Sequence, residues 1–500
     1  MKIQVKTQSW SELKVANLVL PLFEGQESET EAVLKKILKK NDKQISSLLS
    51  GTLTGKAGFI ESQLLVQPAS VERLIFIGMG KVKDFDLKKV RTAVAKLIQW
   101  SNARQINQLC TMLLKPENSP LTDDAVWHTQ IVAAQMSVFN YKEFKSDSRP
   151  DPLKTLTLFT PEVKQAAALR KLTRHAEAYG DAVNLARELV IKPGNVATPA
   201  YLAATARRFK KNGVKVTVLD AARLGREKCG GILAVGQGSR NKPNMITMEY
   251  ACGRKKAPTV ALVGKGVTFD SGGISLKPGA GMDEMKGDMG GAAAVLAVFS
   301  VLHRIKPAVN VIGIVPAAEN MPDGASYRPG DIIRCHSGKT VEILNTDAEG
   351  RLLLADGLSW AEQKYKPQAI LDIATLTGAV VVALAHEFTG LLTNSNDLAE
   401  QVLASGAESG DPAWQLPLTA EFEEMVKSDV ADLRNSVPGR AGGTITAAAF
   451  LKAHLRDTPW AHLDIAGTSW KKSKSAHSGP QGAAVRLLLN LLENFHIPTS

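Results

Sequence analysis

Lys339-Thr340-Val341-Glu342-Ile343-Leu344-Asn345-Thr346-Asp347-Ala348-Glu349-Gly350-Arg351-Leu352-Leu353-Leu354-Ala355 is the stretch on which the reading of this chain turns. Its first six residues alternate like a strand. The residues after Gly350 have helical composition, with Asp356 and Trp360 inside one continuous helical pattern. Asp347, Glu349 and Arg351 therefore fall on the turn between a strand end and a helix start, where open α/β sheets hold ligands. A solvated loop carrying a helix-starting glutamate explains residues 345–352 equally well, so the surrounding sequence has to decide.

Outward from this turn the second half of the chain alternates regularly. Pro199 to Asn212, Gly290 to Ile305, Leu352 to Gln363 and Thr444 to His454 read as helices. Val214 to Leu219, Val260 to Val263, Val309 to Val315, Val341 to Leu344 and Ala369 to Ile373 read as strands. This order predicts a mostly parallel or mixed sheet sandwiched by helices. Pro161 to Val190 favours helix apart from Gly180, and Lys192-Pro193-Gly194-Asn195 stops it. Before it, strands at Val15 to Leu20, Leu74 to Gly78, Leu109 to Leu114 and Thr155 to Phe159 join helices at Glu29 to Lys40 and Val90 to Ile98. Polar Tyr141 to Pro152 reads as an edge or linker. The expectation is an α/β protein of two domains: a small N-terminal α/β domain over 1–160, a connecting helix over 161–190, and a larger domain over 191–500.

Five hundred residues exceed one ordinary core, and 44% hydrophobic with 22% charged residues describes a soluble globular chain. The net charge of +12 permits contact with acidic partners, nucleic acid included, but Lys and Arg are dispersed and no groove-reading motif is present. Cys110, Cys229, Cys252 and Cys335 form no CxxC pair and read as reduced thiols. The N-terminus lacks a signal-peptide layout, and the most apolar window, Ala369 to Leu392, is interrupted by Asp372, His386 and Glu387. The expected compartment is the cytoplasm, with no membrane span.

Three segments of the second half carry acids at strand ends or helix starts. In Val263-Gly264-Lys265-Gly266-Val267-Thr268-Phe269-Asp270-Ser271-Gly272-Gly273 a strand runs into glycines that flank Lys265, and Asp270 precedes another glycine pair. In Met285-Lys286-Gly287-Asp288-Met289, Asp288 shortly precedes a helix, where a plain N-cap is the simpler role. With Asp347 and Glu349 this makes four carboxylates, whose mutual repulsion in a buried cleft demands cations. Two divalent ions would balance them, as in two-metal hydrolases. The three segments contain no histidine, and an oxygen-rich set suits Mn or Mg, and also Zn in a paired site. Lys265 and Lys277 have two chemistries open to them: a neutral amine ligating a metal, or an ammonium polarising a carbonyl.

These residues match a family. Asn345 to Leu352 resembles the signature of the leucyl (cytosol) aminopeptidases, two-metal exopeptidases, and the segments at 263–273 and 285–289 resemble two further motifs. Leu233 to Ser239, Ala374 to Ala379 and Trp460 to Gly467 are similar as well, in the family's order. The resemblance implies that Asp270 and Glu349 bridge two divalent ions, Mn2+ or Zn2+. It implies that Lys265 and Asp288 complete the tighter site and Asp347 the more exchangeable one. Lys277 would hold the substrate carbonyl, Arg351 a bicarbonate acting as general base, and Thr375, Leu376 and Gly378 the substrate backbone. It further implies peptide substrates with a free N-terminal amine, leucine and other apolar residues preferred, and a homohexamer supported by a variable N-terminal domain. DNA binding is a secondary role known among some relatives.

The sequence departs from the family at Lys192-Pro193-Gly194-Asn195 and at Thr468-Ser469-Trp470, beside the side-chain pocket. Other patterns fail on inspection. Gly338-Lys339-Thr340 lacks the first glycine of a phosphate loop, because Ile333 stands there. Gly78-Met79-Gly80 lacks a third glycine. His462 and Asp464 have no serine in a nucleophile elbow, which leaves them structural or supporting roles.

Overall fold

Strand and helix patterns resolve into two α/β units in the computed structural model, one comprising Met1–Asp181 and the other beginning at Ala182. The structure describes residues 1–38, 53–65, 71–146, 153–439, 441–472 and 478–498. The end of the expected helix Glu29 to Lys40 and residues 147–152 of the expected linker lie outside the described residues.

The first unit is a six-stranded sheet in the order Lys2–Thr7, Thr155–Thr160, Gln108–Thr111, Val15–Glu24, Val71–Lys81, Ile60–Leu64. All its pairings are parallel except that of the edge strand Ile60–Leu64. Leu18, Leu20, Leu74, Phe76 and Phe159 build one core, closed by Leu34 of the helix Glu27–Ile37. The helices Leu87–Ala103 and Asp123–Ser137 start where Asp86 and Thr122 accept bonds from Lys89 N–H and Ala125 N–H, which satisfies donors that the first turn leaves free. Asp123–Ser137 carries no expectation from the sequence, because it is buried on most faces and its apolar residues mark no single side. The long helix Ala166–Ile191 follows.

The second unit holds a nine-stranded mixed sheet. At its centre Ala369–Ala374 pairs in parallel with Thr259–Gly264 on one side and Trp460–Asp464 on the other. Asn310–Asn320 continues the sheet in parallel with Thr259–Gly264 and with Gly266–Asp270, and the antiparallel strands Asn244–Tyr250 and Lys215–Leu219 finish that side. Every residue of Ala369–Ala374 is buried, the pattern of a strand covered on both faces. The helices Gly290–Ile305 and Gly350–Tyr365 both pack on the central strands, and the apolar length of the first is spent in this core. Leu352, Leu353, Leu358, Ile370, Val263 and Trp460 are among its fully or almost fully buried residues.

Two glycines bring the chain together where the acids stand. A Cβ on Gly291 would fall inside the Ile373 carbonyl, and one on Gly350 would fall inside the Lys265 side chain. Only glycine lets these helix starts approach the strand ends so closely.

Candidate active site

All ten residues singled out from the sequence line one cleft of about 1100 Å³: Lys265, Asp270, Lys277, Asp288, Asp347, Glu349, Arg351, Thr375, Leu376 and Gly378. Lys265 leaves the strand Thr259–Gly264, and its backbone N–H donates to Ile373 at 3.0 Å. Asp270 ends the strand Gly266–Asp270. Asp288 lies two residues before the helix Gly290–Ile305, and Glu349 directly before Gly350–Tyr365. Neither acid caps its helix with its side chain. Asp288 accepts instead from Lys265 Nζ at 2.8 Å and Thr375 Oγ1 at 2.7 Å, so the simple N-cap role does not apply.

The four acids sort around two ammonium groups. Lys265 Nζ lies 2.7 Å from Asp288 Oδ2 and 2.9 Å from Glu349 Oε1, and donates to the Thr375 carbonyl at 2.9 Å. Lys277 Nζ lies 2.8 Å from Asp270 Oδ2 and 2.5 Å from Asp347 Oδ1. Burial opposes the charge on both lysines, yet the facing carboxylates outweigh it and hold both well above the usual lysine range. Burial pushes the carboxyls of Asp288, Glu349 and Asp347 upward, with Asp270 adding repulsion to each.

Polar residues that the motifs do not flag brace this cluster. Asn320, in register with Asp270 across parallel strands, donates from Nδ2 to Asp270 Oδ1 and to the Thr346 carbonyl, both at 2.9 Å. Tyr327 Oη donates to the same carbonyl at 2.8 Å. Thr346 Oγ1 donates to Gly272 O at 2.6 Å and accepts from Ser275 N–H at 2.7 Å. Asn435 holds the other side of the turn, accepting from Leu344 N–H at 2.8 Å and donating to Asn345 O at 2.6 Å. Asn320 was detectable only as a polar residue closing an apolar strand; Tyr327 and Asn435 gave no signal.

The donor set fits cations. Among the described residues, Asp270, Asp347 and Glu349 each offer a carboxylate oxygen within 4.8 Å of the others, near the span of two bonds of ~2.0–2.2 Å across one divalent ion. Glu349 Oε2 is buried with no hydrogen-bond partner. A buried carboxylate oxygen without a partner is costly unless a further cation faces it. Arg351 is buried, its Nε also lacks a partner, and burial pulls its guanidinium down to about 10 against Glu349 and Asp464. An unpartnered buried donor fits a small anion. His462 pairs with Asp372 rather than Asp464, Nδ1 to Oδ1 at 2.6 Å, and both are fully buried. All four cysteines are free.

Comparison with known proteins agrees with this geometry. Residues 184–489 match the model of the cytosol aminopeptidase family, catalytic domain, and residues 19–148 that of the same family's N-terminal domain. A probable cytosol aminopeptidase of Hydrogenovibrio crunogenus is 40% identical over 98% of this chain and 99% of its own. One from Roseiflexus castenholzii is 44% identical over 89% and 92%. The solved structure of the bottromycin maturation enzyme BotP in complex with Mn superposes with a TM-score of 0.83 at 31% identity, covering 96% of this chain and 99% of that one. With both domains matched and the site assembled, the chain belongs to the cytosol aminopeptidase family and is a metal-dependent aminopeptidase.

Proposed function

We propose that this enzyme removes N-terminal residues, leucine and other apolar ones by preference, from peptides and aminoacyl amides. The observation that carries the reading is the meeting of Asp270, Asp347 and Glu349 around one point, with Glu349 Oε2 unpartnered. Lys265, Asp270, Asp288, Asp347 and Glu349 would hold two divalent ions, Mn2+ or Zn2+, and the Mn named with BotP favours manganese. When bound, the ions supply an activated water and positive charge for a developing oxyanion. Lys265, an ammonium between Asp288 and Glu349 here, would offer a free amine as a ligand beside a divalent charge.

The chain's own groups do the rest. Lys277 keeps its proton and donates to the substrate carbonyl oxygen, stabilising charge as it develops. Arg351 offers a planar fork to a bicarbonate, which would supply the general base that the three motifs do not provide. Thr375, Leu376 and Gly378 align the substrate backbone along the cleft. Val382, Leu416, Ile445 and Trp470 give the cleft apolar walls, which supports the preference for apolar residues. The reading extends to a cytoplasmic homohexamer whose sites face an inner cavity, measurable as six chains per particle by light scattering. DNA binding rests on the resemblance and the +12 charge, with no groove-reading motif behind it, and is no part of the proposal.

Arg351→Ala tests the base. Its turnover on leucine amide should fall about 10²-fold or more, the range typical of a lost general base, and added bicarbonate should restore little. Undiminished turnover would remove Arg351 from the mechanism.

A further inference from the structure

Asp464 is fully buried and closes the strand Trp460–Asp464, in register with Ala374 on the neighbouring strand. The chain leaves Ala374 directly into the cleft wall at Thr375, Leu376, Thr377 and Gly378. Asp464 grips that wall from behind. Its Oδ1 accepts from Leu376 N–H and from Ala466 N–H, each at 3.2 Å, and its Oδ2 accepts from Thr377 Oγ1 at 2.7 Å. Thr377 Oγ1 also lies 2.8 Å from Thr444 Oγ1, and it accepts from Val380 N–H at 3.2 Å to cap the helix Gly378–Leu384.

A buried carboxylate is costly to desolvate, and all three donors that satisfy this one belong to cleft-lining residues. The Leu376 N–H is therefore engaged inside the protein, and what Leu376 can offer a peptide is its carbonyl. The direction of that carbonyl follows from the N–H held on the preceding peptide plane and from the Thr377 side chain held on the following residue. We propose that Asp464 is a positioning residue for the peptide-binding edge: it fixes the Leu376–Thr377 backbone so that this edge meets the substrate already aligned. The assignment rests on the reading that Thr375, Leu376 and Gly378 bind the substrate backbone. Asp464 also acts electrostatically on the buried Arg351, so one carboxylate serves the binding edge and the guanidinium together.

The test uses full-length, metal-loaded protein and leucine amide, with folded fraction followed by near-ultraviolet circular dichroism and metal content measured for each variant. Asp464→Asn removes the charge and one acceptor site; Thr377→Val removes the hydroxyl and leaves the charge; Thr377→Ser keeps both. Asp464→Asn should raise KM roughly tenfold or more, as for a lost hydrogen bond to a charged group, and lower kcat through Arg351. Thr377→Val should raise KM with little change in kcat, and Thr377→Ser should keep the wild-type KM. A purely structural role would lower kcat with the folded fraction and leave KM alone. Wild-type KM in both Asp464→Asn and Thr377→Val overturns the proposal, and if Asp464→Asn does not fold, the Thr377 pair decides by itself. Wild-type protein inactive on leucine amide would instead overturn the substrate reading on which the proposal stands.

Discussion

The two ammonium-centred clusters of the cleft have the same parts and different surroundings. Lys265 sits between Asp288 and Glu349 with side chains only 4%, 9% and 2% exposed. Lys277 sits between Asp270 and Asp347, and there the lysine is 21% and Asp347 33% exposed. One cluster is walled in by helix starts that glycines allow to close; the other opens to solvent through the turn at Asp347. Charge in the first is shielded little by water, whereas the second exchanges more freely with solvent. The difference teaches that two clusters built from the same residue types can differ in their access to solvent through burial alone.

The largest expected effect breaks the comparison outright. Glu349→Ala removes the buried acid of the first cluster that lies within 4.8 Å of both acids of the second, so hydrolysis of leucine amide should fall to background and the protein should retain fewer ions on dialysis. Wild-type activity would show that the clusters are not one site. Next, Lys277→Met should lower kcat about 10²–10³-fold, the cost of one lost oxyanion donor, while metal content stays unchanged. Metal loss in step with activity would move Lys277 from substrate to ligand. Asp347→Asn should sharpen the contrast: titration with Mn2+ should show one ion class weakened by about tenfold or more and the other unmoved. Equal weakening of both classes would erase the distinction between the open and closed positions.

The smallest effect concerns a buried acid with no ammonium beside it. Asp356 accepts from Ile232 N–H at 2.9 Å and His336 N–H at 2.7 Å, and burial pushes its carboxyl up to about 7 from 3.8. A folded pKa above the unfolded one means that the folded state binds the proton more tightly. Its stabilising contribution is present below about pH 4 and is lost as pH rises through about 7. The melting temperature of metal-free protein should therefore decline more steeply between pH 4 and 7 in wild type than in Asp356→Asn. Parallel slopes would show that Asp356 does not titrate in this range.

The sequence made the chemistry legible where residue type and spacing are both constrained. Lys265, Asp288 and Glu349 stand directly beside glycines, and Asp270 two residues before a glycine pair, because helix and strand ends must nearly touch there, and that crowding leaves a pattern in the chain. The helices Gly290–Ile305 and Gly350–Tyr365 were legible from their helix-favouring composition, and both are buried on nearly every face. Asn320 was not, because the strand expected to end at Val315 runs on to Asn320, through Pro316, and only that extension brings its amide to Asp270. Proline reads locally as a stop, but Pro316 falls in the gap between two parallel pairings, one ending at Ile314 and the next beginning at Ala317. Asp464 was noticed and set aside for want of a serine; its partners, Leu376 and Thr377, lie almost ninety residues earlier, and no local pattern joins them. Tyr327 and Asn435 reach the turn from loops, where nothing in composition marks a long-range bond.

The central claim is that the four carboxylates hold two divalent ions that hydrolysis requires. The most direct test measures metal content and leucine-amide hydrolysis on the same samples, before chelation, after it, and after adding back Mn2+ or Zn2+. Two ions per chain, loss of activity with their removal and recovery with their return is the predicted result. Full activity in chelated protein carrying less than one ion per chain would contradict it.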